Sequence, residues 1–128
     1  MVGKKRVARW VALRPTRESD EQANLCKWLL LQYPRLVFFS IPNDGKRSDS
    51  VKFHLHETGM LSGAPDLVIL SQPPLFVEMK RKKGGVLSPE QKKVHKWIRA
   101  CGFTVLVCRG FEDARLQIIK HISTYLNG

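Results

Sequence analysis

Four short apolar runs punctuate this chain between stretches of helical period: LVFFSI at residues 36–41, DLVIL at 66–70, LFVEMK at 75–80 and FTVLVC at 103–108. Runs of this length, rich in β-branched and aromatic residues and bounded by Pro, Gly or Ser, read as strands. Between residues 18 and 33, Leu25, Trp28 and Leu29 fall at i, i+3 and i+4, which is helical spacing. Thr16 is the expected N-cap, Glu18, Asp20 and Glu21 favour the positive end of the helix dipole, and Pro34 stops the helix. Residues 42–50 read as a loop, 51–60 as a short helix closed by Gly59, and 62–65 as a small-residue loop. The next helix has a marked start, with Ser88 as N-cap, Pro89 at the first helical position and Gln91 at the third, and runs to about residue 100. Residues 112–126 form a last amphipathic helix. The order αβ(α)ββαβα, with no internal repeat or linker, predicts one α/β domain with a mixed central sheet flanked by helices.

Composition narrows the class. The 128 residues are 43% hydrophobic and 26% charged, the mixture of a globular domain and not of a disordered tail protein. No apolar run exceeds about five residues, against the roughly 20 that span a bilayer, so no membrane partner is expected. Arg9 splits the apolar stretch of MVGKKRVARWVALRP, and no small-residue cleavage site follows, so it does not read as a signal peptide. Cys26, Cys101 and Cys108 are odd in number and lack CxxC spacing, which points to reduced thiols in a cytoplasmic setting. With 22 Lys+Arg against 11 Asp+Glu, the formal charge of +11 draws polyanions, of which nucleic acid is the commonest in that setting. Six of those cations and no acid precede Glu18, so residues 1–17 are expected to form a basic, partly disordered arm before a single domain at 18–126.

The chemistry gathers on the expected hairpin. Asp66 begins one strand, and Glu78 and Lys80 share a face of the other because strand side chains alternate. Two carboxylates and an ammonium on one sheet surface suit a hard divalent cation and the displacement of a phosphodiester beside it. Register decides whether they meet. Pairing Leu70 with Leu75 across a four-residue loop sets Leu67 opposite Glu78 and turns Asp66 away, whereas pairing Leu70 with Pro74 sets Asp66 opposite Glu78. Pro74 cannot donate to a ladder, so a bulge or irregular turn there supplies the shift. Lys46, Arg47, Lys52, Arg81, Lys82 and Lys83 flank these residues as candidate phosphate contacts. His54 and His56 lack further zinc ligands at suitable spacing, and Trp28 and Trp97 read as core residues.

Gly63-Ala64-Pro65-Asp66-Leu67, Val77-Glu78-Met79-Lys80 and Gly85-Val86-Leu87-Ser88-Pro89-Glu90-Gln91 resemble, in order and spacing, the VRR-NUC nucleases of the PD-(D/E)XK superfamily. The segments around Glu18-Ser19-Asp20-Glu21-Gln22, Ile41-Pro42-Asn43 and Gly102-Phe103 resemble stand-alone, phage-type members, so that the likeness covers about residues 15 to 126. The resemblance implies a restriction-endonuclease-like core and a Mg²⁺- or Mn²⁺-dependent DNA endonuclease. Its implied metal ligands are Asp66, Glu78 and the backbone carbonyl of Met79. Lys80 would orient or activate the attacking water, Glu18 would be the acid of the first helix with Glu21 in reserve, and Gln91 would position Lys80 or the phosphate. Gln91 also has the spacing of a capping box with Ser88. Resemblance to Holliday-junction resolvases implies branched or flap-like DNA, a homodimer, and a bacterial or phage-infected cytoplasm. The alternative is a non-catalytic basic nucleic-acid-binding module on the same fold.

Overall fold

A computed structural model of the chain describes residues 17–43 and 47–127, with side chains as far as residue 122. Residues 1–16 of the arm expected over 1–17, the Thr16 cap and Lys46 lie outside the described residues. In chain order the elements are α1 (Glu18–Gln32), β1 (Phe38–Ser40), α2 (Asp49–Glu57), β2 (Leu67–Ile69), β3 (Leu75–Lys80), α3 (Pro89–Ala100), β4 (Thr104–Arg109) and α4 (Phe111–Asn127). The sheet order is β1-β2-β3-β4; the first three strands run antiparallel, and α3 carries the chain over to β4, parallel to β3. The sheet is therefore mixed.

Strand alternation sorts the side chains onto two faces. Leu67 and Ile69, then Leu75, Val77 and Met79, then Leu106 and Cys108 point one way, where Leu25 and Leu29 of α1 and Ala114, Ile118 and Ile122 of α4 close over them. Trp28 completes this layer edge-on to Tyr33 at 5.5 Å and to Phe111 at 6.3 Å. Burial and Asp113 push the Cys108 thiol up to about 12, so it stays neutral within the layer. The other face of β3 carries Phe76, Glu78 and Lys80, and Glu78 reaches up to His95 of α3.

Arg17 occupies the N-cap of α1. Having no acceptor, it is served in reverse, its backbone N–H donating to the carboxylate of Asp20 at 3.2 Å. The α3 start follows its sequence signature in full: Ser88 Oγ accepts the Gln91 N–H at 3.1 Å and Gln91 Oε1 accepts the Ser88 N–H at 2.9 Å. Trp97 departs from its expected core position. It is 53% exposed, because the buried stripe of α3 runs through Gln91, Val94, His95 and Ile98, and residue 97 falls beside it.

Candidate active site

The hairpin adopts the shorter register. Leu67 pairs with Val77 and Ile69 with Leu75, which extends to Asp66 opposite Glu78 and leaves Ser71, Gln72 and Pro73 as the turn. Asp66 lies one residue before β2, and its main chain is tied on both sides: its N–H donates to Val77 O at 3.0 Å, and its carbonyl accepts the Ile41 N–H at 2.8 Å. Its carboxylate replaces the ladder bond that β2 no longer supplies, Oδ2 accepting the Met79 N–H at 2.7 Å. The aspartate is thus clamped against the backbone of β3, between Glu78 and Lys80.

Glu78 is wholly buried. Its Oε1 lies 2.9 Å from His95 Nε2, and its Oε2 accepts from Gln91 Nε2 at 3.3 Å. Burial first, then a hydrogen bond to and repulsion from Asp66, raise this carboxyl from its ordinary 4.5 to about 9, against the pull of the Lys80 ammonium. Burial likewise raises Glu18, with Lys80 and Arg81 lowering it and Asp66 raising it; these are the charges of a shared site. Glu18 and Asp66 line one cleft of about 400 Å³ together with Asn43, Gly63, Ser88 and Gln91.

The two acids at the start of α1 are separated by this geometry. Glu18 faces the cleft, whereas the Glu21 carboxylate accepts the Phe111 N–H at the first residue of α4, joining two helices. Gln91 forms the expected capping box, its amide oxygen capping α3, while its amide nitrogen lies on Glu78 and not on Lys80. Arg81, Lys82 and Lys83 are exposed in the loop that leaves β3, and Arg47 is exposed with its guanidinium on Asn43 O at 2.9 Å. Lys52 is half-buried on α2, away from the cleft lining. His54 and His56 are exposed on the same helix.

One residue at the site has no counterpart among the sequence expectations. His95 is 1% exposed, and burial first, then Arg99 and Lys80, hold its imidazole below its ordinary pKa. Its signal is positional: His95 stands four residues after Gln91 on the buried stripe, so both reach the same carboxylate.

The family profile of the VRR-NUC domain matches residues 16–112. The chain belongs to the VRR-NUC domain family. A solved structure described as a "VRR_NUC domain protein" is similar in fold, with a TM-score of 0.64 and 21% identity over 90% of this chain and 92% of that one. No curated protein matches the chain. The mixed sheet with flanking helices is restriction-endonuclease-like, and a VRR-NUC domain is a nuclease domain, a hydrolase acting on nucleic acid. Among the described residues no helix is long and apolar enough to cross a membrane.

The donor set fits a hard cation. Among the described residues there is no group of three or more His, Cys, Asp and Glu side chains placed to hold a metal ion. Asp66 and Glu78 nevertheless offer paired carboxylates, with the Met79 peptide oxygen between them in sequence, and Mg²⁺ takes few protein oxygens while keeping several waters. A cation there would offset the repulsion from Asp66 that helps to raise the Glu78 carboxyl.

The raised Glu78 carboxyl has a consequence for stability in chelator-treated protein. The folded state holds this proton more tightly than the unfolded chain does. The stabilisation is therefore complete below 4.5 and is lost as the pH rises towards about 9. Melting temperature should fall over that window, and Glu78→Gln should flatten the fall; an unchanged slope in the variant would assign it to other groups.

Proposed function

We propose that this VRR-NUC domain is a Mg²⁺- or Mn²⁺-dependent DNA endonuclease that acts on branched or flap-like substrates as a homodimer in the cytoplasm of a bacterial or phage-infected cell. The observation that carries the reading is the hairpin register, which puts Asp66 opposite Glu78 with Lys80 on the same face. Asp66, Glu78 and the Met79 carbonyl would hold the cation, which would polarise the scissile phosphate and neutralise the charge that develops in displacement. Lys80, buried beside Glu78, orients or activates the attacking water. Glu18 supplies a further carboxylate at the cleft, and Gln91 holds Glu78 from α3. The exposed Arg47, Arg81, Lys82 and Lys83, with Lys46 and Lys52, would contact phosphates on either side.

Dimerisation is supported by the sheet edge, where among the described residues β1 has no outer neighbour and Val37 and Phe39 are 56% and 52% exposed. A twofold pair would present two sites to two strands. The reduced setting is supported by three free cysteines.

The test is a panel of labelled junction, flap, duplex and single-stranded DNAs incubated with Mg²⁺, Mn²⁺ or EDTA. Cutting should require the metal and be fastest on the branched substrates. Binding to all of them with no metal-dependent cutting of any would instead favour the non-catalytic module.

A further inference from the structure

The buried stripe of α3 contains a chemical misfit. Positions 94 and 98 are Val and Ile, and an apolar side chain at 95 would continue them, yet the position holds His95 at 1% exposure. The histidine's Nδ1 is buried with no hydrogen-bond partner, which is unfavourable for a buried polar atom. Its Nε2 makes one contact, 2.9 Å to Glu78 Oε1. A hydrogen on Nδ1 would strand a buried donor, so the tautomer that suits the surroundings carries its hydrogen on Nε2 and donates to the glutamate.

With that assignment, Glu78 is held at both oxygens from one helix. Gln91 donates to Oε2 at 3.3 Å and His95 to Oε1, one turn apart. Two donors on two oxygens fix the carboxylate plane, which a single donor would let rotate. Partners of this kind orient a ligand and raise its basicity.

We propose that His95 is a positioning residue, holding Glu78 Oε1 so that the carboxylate is set for a divalent cation shared with Asp66. The inference rests on the metal-dependent reading above. Its closest competitor is a plain structural role, in which the histidine only fills space under α3.

The experiment titrates full-length protein with Mn²⁺ alone and follows the free ion by electron paramagnetic resonance, with melting temperature measured in parallel. His95→Leu removes the donor and keeps the volume. His95→Gln places an amide nitrogen near the position of Nε2, and His95→Asn places one too short to reach. His95→Leu and His95→Asn should each weaken Mn²⁺ binding by about tenfold to a hundredfold, while His95→Gln stays within about threefold of the parent. If His95→Leu does not fold, the Gln and Asn variants decide. Parent-like Mn²⁺ affinity in His95→Asn, or equal losses in the Gln and Asn variants, would overturn the inference whatever happens to melting temperature. No Mn²⁺ binding by the parent would overturn the metal-dependent reading and this one with it.

Discussion

Lys80→Ala is expected to slow phosphodiester cleavage by about two to four orders of magnitude, the range for loss of a positioned acid–base group, while DNA affinity stays within a few-fold. The asymmetry follows from where the ammonium sits. Lys80 is 7% exposed, and its charge acts on Glu78 and Glu18, so it faces the carboxylates. In the proposed reading, affinity for the phosphate backbone would rest instead on exposed cations such as Arg81, Lys82 and Lys83, which the substitution leaves in place. Single-turnover cleavage with saturating enzyme, beside a binding titration in EDTA, separates the two quantities. Undiminished turnover would remove Lys80 from the site.

Gly63→Ala should be the most damaging small substitution outside the charged residues. Gly63 has φ +88°, and a Cβ built there would stand 2.4 Å from the carbonyl carbon of Glu90, 2.5 Å from its oxygen and 2.8 Å from Gln91 N. All three are backbone atoms at the start of α3 and cannot swing aside. Left-handed backbone strain and overpacking together amount to about 2–5 kcal/mol of lost stability. The same displacement carries Gln91, and with it a partner of Glu78, away from the site, where a misplacement of about 1 Å lowers rate on the order of 10²-fold. Urea unfolding with an unchanged slope and a lower midpoint, together with slower cleavage, would agree; parent-like stability would mean that α3 does not need this close approach.

Local chemistry was the most legible layer of this fold. The strand at 75–80 and the α3 cap are written in short, contiguous signals, and both form as their residues require. The hairpin register was readable only as two alternatives, because alternation is unaffected by which loop length is used. The choice between them is visible in a side chain: Asp66 Oδ2 takes the Met79 N–H, a bond that the longer loop would forfeit. Glu21 was ambiguous for another reason. Its partner, the first residue of α4, lies 90 positions away, so helical periodicity alone could not separate it from Glu18.

The exposure of Trp97 and the burial of His95 share one cause. Treating only apolar residues as buried draws the α3 stripe through the tryptophan. Admitting Gln91 and His95 gives the i, i+3, i+4, i+7 pattern of 91, 94, 95 and 98, which leaves Trp97 outside and brings two polar groups under the helix. A polar residue on an otherwise apolar stripe was the available signal, and its meaning depends on Glu78, which stands on a different element.

In the proposed site, Asp66, Glu78 and the Met79 carbonyl would hold one divalent cation. Anomalous diffraction from crystals of the protein soaked in Mn²⁺ tests it most directly. A single peak is expected between the two carboxylates, with protein oxygens at about the 2.1 Å of a hard divalent ion, and it should disappear in Asp66→Asn. A peak elsewhere, or none between Asp66 and Glu78 at saturating Mn²⁺, would contradict it.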